Sequence, residues 1–290
     1  MTPIIASLAD VSDRYDAVFC DLWGCLHNGV AAFPAAVAAL QGFRNGGGTV
    51  VLLTNAPRPN VFVEQQVARL GVPRDAWDVI VTSGDCAQEA MLAGAVGTRV
   101  HHIGPRKDDG FFTELPDTAD RDLIRRVDLP EAEGLVVTGP LNDETDTPED
   151  YRATLIHAKA RDLKLLCANP DLIVDMGHRR LLCAGAIAQL YDQMGGTSLY
   201  YGKPHSPVYV RARAMIGAKG EDATRILGIG DGFGTDIAGG VAEGIDTMFV
   251  TGGIEARNFG PDADAPDAGL LAGWLAGQTV APTYAIGKLC

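Results

Sequence analysis

Apolar residues in this chain form short continuous runs, and stretches with helical spacing lie between the runs. Continuous runs are typical of parallel strands whose two faces are both covered, whereas half-exposed strands alternate apolar and polar residues. The order of these segments predicts an α/β fold whose core is a Rossmann-like, doubly wound parallel sheet. The predicted core strands are 15–24 (YDAVFCDLWG), 49–57 (TVVLLTNAP), 77–84, 225–232 and 246–253, and the predicted core helices are 33–48 and 60–72.

The middle of the chain contains a further set of alternating strands and helices. We interpret 85–190 as a second α/β unit inserted into the first, which leaves 1–84 and 191–290 as the core domain. A polar segment at 106–134 is expected on the surface of the inserted unit. The predicted strands of this unit are 98–104, 134–140, 163–171 and 172–177, and its helices are near 85–94, 148–162 and 184–194.

Composition and charge argue against several classes of binding partner. The 290 residues include 37 acidic and 24 basic side chains, which gives a formal charge of −13. This excess of negative charge argues against binding to nucleic acid or to an anionic membrane. The first residues, MTPIIASLADVSDRYD, lack the features of a signal peptide, and no apolar run reaches the length of a membrane span, so a cytoplasmic protein is expected. The six cysteines lack CxxC spacing, which argues against a zinc ribbon or a thioredoxin-like site.

Polar side chains stand where the predicted core strands end. In open α/β sheets, ligands bind outside the carboxyl ends of the strands, so these groups are expected to converge in one crevice. Each of them alone is more simply explained as a turn, a helix cap or a surface residue. Their order along the chain is what indicates chemistry. The groups are Asp21, Thr54 with Asn55, Lys203, and the acidic pair Asp231 and Asp236.

This set of side chains is suited to phosphoryl transfer. Asp21 can attack phosphorus and form an aspartyl phosphate, which divides a difficult displacement into two steps. Mg²⁺ prefers oxygen ligands, which the pair Asp231 and Asp236 can supply together with water and a phosphate oxygen. Lys203 and the hydroxyl of Thr54 can stabilise charge on the transferred phosphoryl group.

Other proteins with similar residues fit the sequence less well. A signalling receiver domain is far shorter and places its extra acids before the phosphoacceptor strand. The segment GIGDGFG does not match the dinucleotide-binding GxGxxG motif, because Phe233 stands where the third glycine belongs. A phosphate-binding P-loop is excluded because GKP lacks the Ser or Thr that follows the lysine.

Four segments together resemble the signature blocks of the haloacid dehalogenase superfamily: DLWGCLHNG, LLTNAP, GKP and GDGFGTD. The segments VTSG, ANPD and CAGAIA are similar to the class IIA branch, whose members resemble N-acetylglucosamine-phosphate and 4-nitrophenyl-phosphate phosphatases. The resemblance extends over about residues 15–255. It implies a Rossmann-like core, an inserted C2-type cap, and Mg²⁺-dependent phosphatase activity on a small phosphorylated metabolite. It also implies that the cap can serve as a homodimer interface.

The resemblance assigns roles to individual residues. Asp21 matches the nucleophile, Thr54 the phosphate-binding hydroxyl and Lys203 the phosphate-binding lysine. Asp21, the backbone carbonyl of Trp23, Asp231 and Asp236 match the metal site, with Asp236 acting through water. The expected substrate-binding residues are Asn55 and His27.

Trp23 departs from the family pattern, which has a second aspartate at this position that protonates the leaving group and then activates water. Proton transfer of this kind is typically worth about 10²–10⁴-fold in rate. Three explanations remain open. The substrate can carry a good leaving group such as an acyl phosphate; another group, His27, Asp171 or His178, can replace the acid; or the protein can bind a phosphorylated ligand without efficient turnover. Arg179 and Arg180 are interpreted as an exposed turn, with contact to a second anionic group of the substrate as the alternative.

Overall fold

The computed structural model describes residues 2–177, 179–218 and 223–290. His178, one of the candidates for the missing acid, therefore lies outside the described residues. The strands in these ranges are β1 Ala17–Cys20, β2 Thr49–Thr54, β3 Val79–Thr82, β4 Arg99–Ile103, β5 Arg125–Arg126, β6 Gly134–Val137, β7 Lys164–Cys167, β8 Ile173–Met176, β9 Arg179–Leu182, β10 Thr197–Tyr200, β11 Ile226–Gly230, β12 Asp246–Val250 and β13 Tyr284–Ile286.

The α-helices cover or connect these strands. They are α1 Pro34–Asn45, α2 Asn60–Arg69, α3 Ser83–Leu92, α4 Gly110–Thr113, α5 Arg152–Ala160, α6 Ala184–Gln193, α7 Ser206–Gly217, α8 Ala238–Ala242 and α9 Ala268–Leu275. Among the described residues, no helix combines the length and the apolar character that crossing a membrane requires.

The core is a parallel sheet with strand order β13-β12-β11-β1-β2-β3. Every residue of β1 and β2 is buried, as the continuous apolar runs predict. The Rossmann-like, doubly wound α/β core is therefore confirmed. The three-residue strand β13, which extends the sheet beside β12, is not among the predicted strands.

A second parallel sheet has strand order β10-β7-β6-β4-β5, which confirms the second α/β unit. Its edge strand β10 lies beyond residue 190, where sequence analysis ended the insertion, and it pairs with β7. We therefore propose that the cap extends to about residue 200. The predicted strand at 172–177 is β8, which forms an antiparallel hairpin with β9 outside both parallel sheets.

The expectation that 106–134 is a surface segment is wrong at several positions, since Asp108, Phe111, Leu115 and Ala132 are buried. Phe111 of α4 is fully buried and packs in a cluster with Met91, Val100 and Leu166. The short helix α4 turns this ring towards the second sheet, so its apolar area is removed from water.

The register of the core sheet positions the strand ends. Cys20, the last residue of β1, is level with Leu52 of β2 and Ile229 of β11. Asp21 therefore emerges between these two neighbouring strands, close to Thr54 on one side and Asp231 on the other. From β1 the chain continues to β2 and β3 on one side of the sheet, and from β11 it continues to β12 and β13 on the other side. The point where the strand order reverses in this way is the usual location of a ligand crevice.

Candidate active site

Asp21 lies at the carboxyl end of the central strand β1. Its backbone N–H donates to the carbonyl of Ile229 at 2.8 Å, which extends the ladder by one residue and holds the carboxylate at the sheet edge. The residue is only 8% exposed. A buried carboxylate with its backbone held in this way has few rotamers available, so it presents a defined oxygen to the crevice.

Lys203 joins two of the predicted acidic residues. Its Nζ lies 2.6 Å from Oδ1 of Asp21 and 2.7 Å from Oδ1 of Asp236. Burial lowers the pKa of this ammonium, but the carboxylates of Asp21 and Asp236 outweigh burial and hold its pKa well above the ordinary value. Lys203 is therefore a fixed positive charge in the crevice.

Asn55 holds Lys203 in place. Its Oδ1 accepts the backbone N–H of Lys203 at 2.7 Å, and its Nδ2 donates to the carbonyl of Lys203 at 3.0 Å. Nδ2 also donates to Oδ1 of Asp171 at 2.8 Å. Gly202 is required for this approach, because a Cβ there would lie 2.3 Å from Oδ1 of Asn55. The amide of Asn55 is thus engaged by the protein, which the expectation of substrate binding did not foresee.

Thr54 ends β2 beside Asp21. Its side chain is 2% exposed, and its Oγ1 accepts the backbone N–H of Ala56 at 3.2 Å. The hydroxyl therefore retains its own proton for donation to an incoming oxygen atom.

The loop after β11 carries the acidic pair. Oδ2 of Asp231 accepts the backbone N–H of Ile254 at 2.8 Å, and Oδ2 of Asp236 accepts that of Gly232 at 3.1 Å. Glycines allow the backbone to pass close to these carboxylates. A Cβ at Gly24, where φ is +73°, would lie 1.9 Å from Oδ2 of Asp231, and one at Gly253 would lie 2.1 Å from the same oxygen atom.

The donor atoms fit a hard divalent cation. Ligand atoms of Asp21, Asp231 and Cys25 all lie within 4.8 Å of one another. Burial and the neighbouring carboxylates of Asp21 and Asp236 raise the pKa of Asp231 well above its ordinary value. A cation bound there would offset this accumulation of negative charge, and carboxylate oxygens are the ligands that Mg²⁺ prefers. The residues that would hold it are Asp21 and Asp231, with Asp236 and the carbonyl of Trp23 as the further expected groups.

Cys25 also lies at the site, although the sequence pattern gave it no role there. Burial, followed by the charge of Asp231, raises the pKa of its thiol well above the ordinary value. A protonated thiol is a poor ligand for Mg²⁺, so Cys25 is better regarded as packing beneath the carboxylates. The place of Cys25 in the sequence, four residues after Asp21 and directly after the predicted strand 15–24, is the signal that could have indicated this proximity.

Trp23 packs on the loop that carries His27. The two rings meet edge to face with centroids 5.0 Å apart, and a Cβ at Gly29 would lie 2.2 Å from the indole. His27 is fully buried, and its Nδ1 accepts the backbone N–H of Gly29 at 3.1 Å. Burial lowers the pKa of His27 to about 4. The structure thus holds His27 as a neutral, fully buried residue inside the loop, and His27 does not line either of the two cavities at Asp21.

Two cavities meet at Trp23. The larger, of about 690 Å³, extends from Asp21 past the acidic loop to the β8–β9 hairpin. The smaller, of about 220 Å³, extends from Asp21 and Thr54 towards Arg58 and Asp108. Arg180 lines the larger cavity but pairs with Asp175, while Arg179 pairs with Glu144.

Comparisons with known proteins agree with this geometry. Residues 18–115 match the family model of haloacid dehalogenase-like hydrolases, and residues 200–271 match a second model described as HAD-hydrolase-like. The structure superposes on a haloacid dehalogenase-like hydrolase from Brucella suis with a TM-score of 0.84 and 39% identity, over 99% of this chain and 100% of the other.

Two curated relatives are more distant. The chain is 23% identical to the 5'-nucleotidase YutF of Bacillus subtilis, over 86% of this chain and 91% of that protein. It is 25% identical to the ribonucleotide monophosphatase NagD of Escherichia coli, over 82% of this chain and 88% of that protein. With its two parallel sheets, and with Asp21, Lys203 and the acidic loop gathered at the edge of the first, the chain belongs to the haloacid dehalogenase-like hydrolase family, in the class IIA group.

Proposed function

We propose that this protein is a Mg²⁺-dependent phosphatase that hydrolyses a small phosphorylated metabolite through a phosphoaspartate at Asp21. The observation that carries the proposal is the buried ion pair of Lys203 with Asp21 and Asp236 at the carboxyl edge of the core sheet. A buried lysine at this place supplies positive charge where a phosphoryl group would be transferred.

Each residue of the site has a separate role in the proposed reaction. A carboxylate oxygen of Asp21 attacks phosphorus, the bond from phosphorus to the leaving oxygen breaks, and water later cleaves the aspartyl phosphate. Lys203 and Thr54 bind the non-bridging oxygens, with Lys203 held through its backbone by Asn55. Mg²⁺, when bound by Asp21, Asp231, the carbonyl of Trp23 and, through water, Asp236, supplies further neutralisation of the phosphoryl charge.

The relatives suggest where the search for the substrate should begin. Both curated relatives are named for nucleotide substrates. The first panel of substrates to be tested should therefore include nucleoside monophosphates. It should also include sugar phosphates, polyol phosphates and acyl phosphates, because Trp23 leaves open which leaving groups the enzyme prefers.

The experiment is phosphate release from this panel with Mg²⁺, with Asp21→Asn as the control. The amide is nearly the same size as the carboxylate but cannot act as a nucleophile, so phosphate release is expected to disappear. Intact-protein mass spectrometry after rapid quenching should show one added phosphoryl group on the wild type and none on Asp21→Asn. Binding of Mg²⁺ and inorganic phosphate without release from any substrate would overturn the proposal and favour a protein that binds phosphorylated ligands without turnover.

A further inference from the structure

When the leaving group is an alcohol, the proposed reaction needs a group that protonates the leaving oxygen, and Trp23 cannot supply a proton of suitable acidity. The cavities limit which group can do so. Among the described residues, four line both cavities: Asp21, Trp23, Asp171 and Val174. Asp171 is thus the one carboxyl group, apart from Asp21 itself, that is placed where the two cavities join.

The other acidic residues of the cavity walls have different positions or partners. Asp231 and Asp236 belong to the acidic loop. Asp175 accepts two hydrogen bonds from the guanidinium of Arg180, which lower the pKa of Asp175 and keep it ionised. Asp108 and Asp143 line only the smaller cavity, where Arg58 acts on Asp108 and Asp143 pairs with Lys107. Glu255 lines only the larger cavity, and its Oε2 accepts from Nδ2 of Asn258 at 2.6 Å. Asp231 and Asp236 line only the larger cavity and are the residues expected to hold the cation. Apart from Asp21, Asp171 is therefore the only described carboxyl group that lines both cavities and is not assigned to the metal.

The backbone holds Asp171 rigidly over the core sheet. Its N–H donates to Oδ1 of Asn169 at 2.9 Å, and its carbonyl accepts the N–H of Gly185 at 3.1 Å. A Cβ at Gly185 would lie 2.2 Å from the carbonyl of Pro170, so α6 can approach this loop only with glycine there. Oδ1 of Asp171 accepts from Asn55, and Asn55 binds the backbone of Lys203, whose ammonium contacts Asp21. A short chain of hydrogen bonds therefore relates Asp171 to the nucleophile.

We propose that Asp171, contributed by the second α/β unit, is the general acid and base of this hydrolase in place of the aspartate that Trp23 replaces. The inference rests on the proposed phosphatase function. When Asp21 attacks phosphorus, the proton on Asp171 moves to the leaving oxygen, which departs as an alcohol. The Asp171 carboxylate then accepts a proton from the water that attacks the aspartyl phosphate, which yields phosphate and restores both carboxyl groups.

The surroundings of Asp171 are consistent with both halves of this cycle. Burial, together with the charge of Asp236, raises its pKa to about 6 against the opposing effects of Lys203 and Asn55. The general acid and base of an enzyme works best with a pKa near the working pH, because both protonation states are then accessible.

The test is a leaving-group series measured with wild type and Asp171→Asn. The amide retains an oxygen that can accept from Asn55, so the contact to the core is preserved while the proton is removed. For a polyol phosphate, whose leaving group needs a proton, we expect kcat/KM to fall about 10²–10⁴-fold. For 4-nitrophenyl phosphate and acetyl phosphate we expect a loss of less than about tenfold, because their leaving groups depart as anions. Asp175→Asn, a carboxyl change on the wall of the larger cavity, should leave the dependence on leaving group unchanged.

The outcomes separate this inference from the proposed function. An equal loss for all substrates in Asp171→Asn, or no loss for the polyol phosphate, would overturn the role in proton transfer, because a positioning role affects every substrate alike. If the wild type turned over none of these substrates, the proposed function itself would fail, and this inference with it. A loss confined to poor leaving groups supports both.

Discussion

The side chains of Lys203 and Asp21 meet at 2.6 Å although 182 residues separate them in sequence. The lysine side chain is 4% exposed and the aspartate side chain 11%. A pair this well shielded differs from the surface ion pairs of the same chain, because removing one partner leaves the other charge buried without compensation.

Replacing this lysine should therefore destabilise the fold as well as stop catalysis. For Lys203→Met we expect the free energy of unfolding to fall by about 3–5 kcal/mol near pH 8. The loss should be smaller near pH 5, because Asp21 and Asp236 can then take up protons. Chemical denaturation at both pH values measures it. Lys288→Met, which removes the exposed pair with Asp264, is the matched control and should change stability by at most about 1 kcal/mol. Similar effects of the two variants would contradict the importance of burial.

Gly24 should be required for metal binding rather than only for the turn. Gly24→Ala places a methyl group against Asp231, and a residue with φ of +73° also adds backbone strain. We expect the Mg²⁺ concentration for half-maximal activity to rise about 10–100-fold. Gly47→Ala is the control, since its φ is +94° and no atom lies within 4 Å of the added Cβ. If Gly47→Ala shifted the Mg²⁺ requirement equally, strain rather than contact with Asp231 would be responsible.

A carboxyl group at position 23 should be able to take over the proposed proton transfer of Asp171. In the Asp171→Asn background, Trp23→Asp is expected to raise kcat/KM for a polyol phosphate at least about tenfold above that of Asp171→Asn alone, because general acid catalysis is typically worth more than this. Trp23→Asn in the same background opens the same space without a titratable group and should restore none. Steady-state kinetics on both double variants measure the difference. Equal recovery would mean that removing the indole, and not adding a carboxyl group, changes the rate.

Stabilisation by Mg²⁺ should depend on pH. Burial raises the pKa of Asp236 to about 6 and that of Asp171 to about 6, whereas an aspartate in the unfolded chain has a pKa of about 3.9. The folded metal-free protein then binds more protons than the unfolded chain between about pH 4 and 6, so these groups cost stability as pH rises through that window.

Bound Mg²⁺ offsets the charge, so its effect should be largest above this window. With Mg²⁺ at about 100 times its dissociation constant, we expect Tm to rise by about 5 °C at pH 7.5 and by much less at pH 5. Thermal unfolding with and without Mg²⁺ at both pH values tests this, and Asp231→Asn should remove the difference. An equal rise at both pH values would contradict the link between the carboxylates and the cation.

The sequence by itself determined the architecture and the convergence of chemical groups. Continuous apolar runs predicted the parallel core sheet because strands covered on both faces need apolar residues at every position. The carboxyl ends of parallel strands lie at the same edge of a sheet whatever the conformation of the loops. The sequence alone therefore predicted that Asp21, Thr54 and Asp231 lie close together. The same patterns predicted the second unit, but they did not show that 197–200 forms a strand of its sheet, because a short run does not show which sheet it joins.

Only the tertiary structure decided which partners these groups have. The hydrogen bond from Asn55 to Asp171 spans 116 residues, and it depends on how the second unit packs on the first, which local periodicity does not encode. The place of His27 in the loop predicts a role in proton transfer, but folding buries it against Trp23, whereas Asp171 lines both of the cavities that Asp21 lines. Strand ends follow from the repeating geometry of the backbone, whereas contacts between side chains of distant segments depend on close packing in three dimensions.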